Sequence, residues 1–241
     1  MSGSQTRLEL RIDVLDKKDQ RALALPTLTV PQFVDAILNE FSEIEYLGNV
    51  ASDYQLEKAS DGTPLDDSTP IGQQVGNGAS LVLVERERPL PELTMRPSQD
   101  IYLREQTTGK VFKLCWQPAI VGRLAESQPY NELVAVDLNP YGTALRVSRR
   151  HLQITEDAGQ FFVENLSKNP ALLLRNQDKP AAITAAPLPL QPGDIIELDR
   201  ADIMLKFIVR NGAPAPNDAS APNGAPVPNG APVPNDELAK A

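Results

Sequence analysis

Between residues 100 and 210 the chain is a succession of short apolar segments, none long enough to stand alone. They read IYLRE, KVFKLCW, AIVGRL, LVAVDL, HLQIT, QFFVEN, ALLLRN, IIELD and IMLKFIVR, with turn-forming residues between them. No stretch in this region carries the 3.6-residue apolar period of a helix. Regularly spaced segments of this kind bury their apolar faces by pairing into sheets and packing two sheets together. The pattern therefore predicts an all-β sandwich over 100–210, with Trp116, Phe161, Phe162 and Phe207 in its core.

The preceding part has a different rhythm. Leu8, Leu10, Ile12 and Val14 alternate with polar residues and predict a strand with one buried face. Asp16 to Asp19 read as a polar turn, and ALALPTLTV as a second strand. TVPQFVDAILNEFSE predicts a helix, with Thr29 and Gln32 at capping-box spacing and Val30, Phe33, Val34, Ile37, Leu38 and Phe41 on one face. Tyr54–Lys58 and SLVLV read as strands on either side of the turn signal SDGTPLDD. Residues 7–86 are thus expected to form an α+β domain. Residues 87–99 hold three prolines and mixed charges, and read as a linker. From 211 to 241 the unit Asn-Gly-Ala-Pro-x-Pro-Asn starts at Asn211, Asn223 and Asn229. That repeat has too little apolar bulk to repay chain entropy, so a disordered, polyproline-rich tail is expected.

Composition excludes several classes. The single cysteine, Cys115, cannot form an intramolecular disulfide, and with one histidine, His151, it cannot build a Cys/His zinc site. No metal or other cofactor is expected. No run of 18 apolar residues exists, so no membrane insertion is expected. The opening MSGSQTRLEL lacks the apolar core of a signal peptide, which makes the cytoplasm the expected location. Residues 1–86 carry 14 acids against 7 bases, while residues 100–210 carry 13 of each. Nucleic-acid binding needs a basic footprint that this chain lacks, so an anion site must be local and lie in the neutral region.

Three motifs in that region sit at strand edges, where a sandwich gathers its loops. They are Gly122-Arg123, Ser148-Arg149-Arg150-His151, and Asn165-Leu166-Ser167-Lys168-Asn169-Pro170. Together they supply guanidinium groups, a hydroxyl, an ammonium and an amide, but no nucleophile–base pair. Ser148 with His151 lacks any nucleophile-elbow surroundings, so no catalytic residue is assigned. Arg123 alone could equally pair with Glu126. The set as a whole suits a phosphate, whose three acceptor oxygens match forked arginine donors.

The order Gly122-Arg123, Ser148-x-x-His151, Asn169, Leu190-x-x-Gly193-Asp194 resembles a forkhead-associated (FHA) domain, and the DLNPYG…VSRRH form looks bacterial. The resemblance implies binding of phosphothreonine peptides. Arg123 and Ser148 would hold the phosphate, Arg149 would assist, and Lys168 would line the pocket. Asn169 would bond the peptide backbone, while Gly122 and His151 would support the loops. Where the family often has Asn-Gly-Thr, this chain has Asn169-Pro170-Ala171, and the loop 125–147 is long.

The segment QLEKASDGTPLDDSTPIGQQVGNGASLVLV resembles the second half of ubiquitin-like β-grasp domains, especially small ubiquitin-like proteins linked to bacterial type VII secretion. The last strand continues into ERERPLPEL with no Gly-Gly terminus, so conjugation is not expected. These resemblances imply a non-enzymatic adaptor. Its sandwich would bind a Thr-phosphorylated protein, a Ser/Thr kinase or its substrate, and its first domain would engage a second protein. The alternative is a phosphorylation-independent scaffold, such as a component of a secretion apparatus.

Overall fold

The computed structural model describes residues 7–125, 131–176 and 179–210. The repeat tail and Glu126 lie outside the described residues.

The first unit comprises β1 (Leu8–Val14), β2 (Lys17–Ala24), α1 (Val30–Glu40), β3 (Tyr54–Lys58), α2 (Ile71–Gln74) and β4 (Ser80–Glu85). Its sheet has the order β2-β1-β4-β3, with β1 and β4 parallel and the other pairs antiparallel. Helix α1 buries Val30, Phe33, Val34, Ile37 and Leu38, and the Thr29–Gln32 capping box is formed. The same cluster takes Leu10, Ile12, Leu56, Leu81 and Leu83 from the sheet. The second strand differs from its expected position. It runs from Lys17 to Ala24 instead of from Ala22 onward, because the chain reverses within Leu15–Asp16. Leu15 adopts φ 51° there, and its side chain is buried in the core. β2 is an edge strand, so its outward lysines stay in water.

The second unit is the sandwich. It contains β5 (Asp100–Glu105), β6 (Val111–Lys113), β7 (Ala119–Gly122), β8 (Val134–Asp137), β9 (Arg150–Asp157), β10 (Gln160–Asn165), β11 (Leu172–Leu174), β12 (Ala181–Ala182), β13 (Leu188–Leu190), β14 (Ile195–Leu198) and β15 (Ile203–Arg210). Five strands form one sheet in the order β13-β10-β9-β7-β8, and six form the other in the order β12-β11-β14-β15-β5-β6. Their inner faces meet in one core. Phe161 of the first sheet meets Phe207 of the second edge to face, with ring centroids 5.5 Å apart. Trp116 joins this core, whereas Phe162 lies on the opposite face of β10 and is half-buried. Strands β12 and β13 escape the sequence pattern. Pro189 sits inside β13, which an edge strand tolerates because its free side needs no donor.

The two units touch over the outer face of the six-stranded sheet. Tyr102, Val111 and Ile208 would stand exposed there, but they are buried with Tyr46 packed against them. Polar contacts surround this patch. Arg210 bonds Asp16 at 2.5 Å, and Lys206 bonds Glu45 at 2.6 Å. Lys113 bonds Glu85 at 2.5 Å, and Arg104 donates to the Glu45 carbonyl at 3.1 Å. The Tyr46 hydroxyl also donates to Asp16, and burial together with that carboxylate pushes the phenol up to about 12.

Candidate functional site

Strand pairing brings the ends of β7, β10 and β14 and the starts of β9, β11 and β15 to one end of the sandwich. Gly122, Arg123, Ser148, Arg149, His151, Lys168 and Asn169 all lie at that end, on its loops or on the strand residues beside them, whereas Leu190, Gly193 and Asp194 lie at the opposite end.

Gly122 closes β7 against a bulged register with Arg150. A side chain there would put its Cβ 2.1 Å from the Arg149 carbonyl oxygen and 3.0 Å from that of Ser148. The missing Cβ lets the Ser148-bearing backbone lie directly over β7. Arg123 is then clasped from both sides. Its backbone N–H donates to the Arg149 carbonyl at 3.1 Å, and its Nε donates to the Val147 carbonyl at 2.8 Å. Next to it, the Leu124 N–H donates to Asp137 Oδ1 at 2.9 Å. Among the described residues, the rest of the Arg123 guanidinium carries no hydrogen bond or ion pair.

The loop after β10 is shaped by two residues that the motif reading did not assign a role. Asn165 Oδ1 accepts from the Ser167 N–H at 2.8 Å, and Asn165 Nδ2 donates to the Asn169 carbonyl at 2.8 Å. The Asn169 N–H in turn donates to Ser167 Oγ at 3.1 Å. These side-chain-to-backbone bonds replace the ladder that ends at β10 and fold the loop back on itself. The local signal was the Asn-x-Ser-x-Asn spacing. Asn169 is thereby set against Ser148, to whose Oγ its Nδ2 donates at 3.0 Å.

The structure therefore brings Arg123, Ser148 and Asn169 together through direct contacts and a shared Val147–Ser148 backbone. Arg149 joins through its carbonyl alone, and its side chain is exposed. Lys168 is exposed beside Asn169, without a hydrogen bond or ion pair among the described residues. Two further arginines stand at the site that the motifs did not include. Arg200 Nη1 donates to Asn169 Oδ1 at 3.2 Å, and Arg146 Nη1 donates to the Arg200 carbonyl at 3.2 Å. Among the described residues, no ion pair neutralises Arg123, Arg146, Arg149, Lys168 or Arg200.

A second group of cations lies elsewhere in the molecule. A cavity of about 490 Å³ beside the linker is also lined by Arg86, Arg88, Arg96, Lys113 and Arg210. Each of those cations is already paired with an acid: Asp67, Asp53, Glu87, Glu85 and Asp16 respectively. Unlike that cavity, the loop end gathers several cations that no acid neutralises among the described residues.

His151 is buried beneath these loops. Burial pushes its pKa below the ordinary histidine value, and the backbone of Asn169 and Pro170 partly opposes that shift. Neither ring nitrogen completes a hydrogen bond of normal geometry. The hydroxyl of Ser148 is bonded by the Asn169 amide, and no hydrogen bond among the described residues joins it to His151. The pair thus has no general-base geometry. Among the described residues no group of three His, Cys, Asp or Glu side chains is arranged to hold a metal ion, and no helix is long and apolar enough to cross a membrane.

Residues 120–199 match the FHA domain family. Among solved structures, the chain is similar to Mycobacterium tuberculosis EmbR in complex with a low-affinity phosphopeptide. That match has 19% identity and a TM-score of 0.35 and covers 48% of this chain. It spans only 26% of the EmbR chain. The FHA domain of an Arabidopsis thaliana hypothetical protein is similar at 19% identity and a TM-score of 0.36, over 50% of this chain and 93% of that one. A de novo design based on ubiquitin is similar at 14% identity and a TM-score of 0.29, over 37% of this chain and 99% of the design. No curated protein matches the chain.

Proposed function

We propose that the loop end of the sandwich binds phosphothreonine segments of a partner protein and that the chain is a non-enzymatic adaptor. The observation that carries this reading is the convergence of Arg123, Ser148 and Asn169 from three separate loops, amid cations without acidic partners. The match of residues 120–199 to the FHA family supports it independently. Phosphate recognition by arginine clusters is one of the recurring modes of peptide capture.

Arg123 supplies forked N–H donors, held at the right attitude by its Nε bond to Val147. Ser148 supplies a hydroxyl donor. Asn169 meets the peptide backbone, while Arg149 and Lys168 add mobile positive charge at the rim. Gly122 and His151 support the loops from below. Three or four charge-assisted hydrogen bonds, at about 1.5–3 kcal/mol each and less the cost of ordering, reach the roughly 8 kcal/mol of micromolar affinity.

The chain then divides into a unit at 7–86, a linker at 87–99, the sandwich at 100–210 and the repeat tail. The first unit is read as a ubiquitin-like β-grasp domain, acting in the cytoplasm and engaging a second protein. Its mixed four-stranded sheet with α1 packed on one face supports that reading.

Calorimetric titration with matched phosphothreonine, phosphoserine and unphosphorylated peptides tests the proposal. Micromolar binding is expected for the phosphothreonine form, with a loss of at least about ten-fold in Arg123→Ala. Equal binding of the three peptides, or an unchanged Arg123→Ala, refutes it.

A further inference from the structure

The side chain of Asn169 has two N–H donors and a carbonyl oxygen with two lone pairs; both donors and one lone pair are engaged, which leaves one lone pair for a peptide N–H. Nδ2 donates to Ser148 Oγ at 3.0 Å and to the Arg146 carbonyl at 3.3 Å, while Oδ1 accepts from Arg200 Nη1 at 3.2 Å. Arg146 Nη1 donates to the Arg200 carbonyl at 3.2 Å. The contacts close into a ring. Asn169 donates to the Arg146 backbone, Arg146 donates to the Arg200 backbone, and Arg200 donates to Asn169. Both arginines are exposed and lie on 3-10 turns, Ala144–Arg146 and Asp199–Ala201, each anchored by a buried alanine.

This ring fixes which way the Asn169 amide faces. A flipped amide would turn its NH2 toward the Arg200 guanidinium and its oxygen toward the Arg146 carbonyl, two repulsive contacts in place of two attractive ones. The consequence falls on Ser148. Its Oγ receives an N–H from Asn169, so its own hydrogen cannot point there and is left for an outside acceptor. With the amide reversed, Oδ1 would draw the Ser148 hydrogen inward, and the hydroxyl would present lone pairs to an arriving anion.

We propose that Arg200 is a positioning residue for phosphate capture: by holding Asn169 Oδ1 it keeps the Ser148 hydroxyl a donor. The inference rests on the phosphothreonine reading of the site. It assigns Arg200 a role through Asn169 and Ser148, distinct from direct attraction of the phosphate.

Two measurements on the full chain test it. In the ligand-free protein, the side-chain NH2 signals of Asn169 in an ¹⁵N spectrum should shift markedly in Arg200→Ala and stay near their wild-type positions in Arg200→Lys, which retains a donor. Titration with an alanine-flanked phosphothreonine peptide should show a loss of about three- to ten-fold for Arg200→Ala, the range of one net hydrogen bond. The same substitution in a Ser148→Ala background should cost less than about two-fold, since coupled residues are non-additive.

Unmoved Asn169 signals in Arg200→Ala overturn the proposal. An equal loss in both backgrounds also overturns it, because the effect of Arg200 then does not pass through the Ser148 hydroxyl. Signals that move while the wild type fails to bind the peptide refute the phosphate reading, and with it the role given to the Ser148 hydroxyl.

Discussion

Substituting Gly122 by alanine should damage the sandwich at its functional end. The added Cβ would lie 2.1 Å from the Arg149 carbonyl oxygen, 2.7 Å from its carbon and 3.0 Å from the Ser148 oxygen. Non-bonded carbon atoms settle near 3.5–4.0 Å, so the facing backbone must retreat by roughly 1 Å or more. The obstructing atoms are all main chain, and no rotamer change relieves them. Overpacking of this kind costs about 1–3 kcal/mol. The retreat also breaks the bond from the Arg123 N–H to the Arg149 carbonyl, worth about 1 kcal/mol net. Together the loss is roughly 2–4 kcal/mol, or a melting temperature lowered by roughly 5–15 °C at about 2–4 °C per kcal/mol for a chain of this size. Circular dichroism melts of Gly122→Ala and Gly142→Ala side by side provide the assay. Gly142 has no atom within 4 Å of its notional Cβ, so its alanine variant should stay within about 0.5 kcal/mol of the wild type. A Gly122→Ala protein melting within about 2 °C of the wild type, or a Gly142→Ala protein falling as far, would refute the close-approach reasoning.

Two other outcomes are expected. Because burial lowers the His151 pKa in the folded state, the unfolded chain takes up the proton first as pH falls below about 6.5. Stability should then decline on acidification by at most about 1.4 kcal/mol per pH unit from this group. Melts between pH 7.5 and 5.5 should show a slope that His151→Gln flattens, and an identical slope in the variant would contradict the assignment. Arg175 bonds the buried Asp194 carboxylate through Nε at 2.8 Å and Nη2 at 2.6 Å. Arg175→Ala should cost about 3 kcal/mol in urea denaturation by leaving that charge unpaired, and a loss under about 1 kcal/mol would show the pair to be dispensable.

The sandwich was legible because its apolar segments are short, separated by turns and free of helical period. Edge strands β12 and β13 were not, since two alanines and a proline-centred Leu-Pro-Leu carry no strand pattern. The loops bearing Gly122, Arg123, Ser148 and Asn169 could be placed because strand ends are marked locally. Asn165 and Ser167 were visible only as motif letters. Their work is to bend the backbone, which becomes apparent when their partners are seen. Arg146 and Arg200 gave no signal at all. Each acts through carbonyl or amide groups that are distant in the chain and brought near by the fold. The contact between the two units was hidden for a similar reason. Tyr102 reads as one more sandwich residue, yet it faces outward and meets the Tyr46 ring at a centroid distance of 5.8 Å.

That contact has a geometric corollary. β15 begins beside Arg200 and ends at Arg210, which grips Asp16 of the first unit. Seven residue steps of extended chain span roughly 23 Å. The first unit thus rides on the flank and far end of the sandwich and leaves Arg149 and Lys168 open to water. A molecule seated at the loops and another seated on the first unit would be held about a strand's length apart, without competing for the same space. On the proposed reading of the two units, the chain would then set the distance between two bound molecules as well as join them.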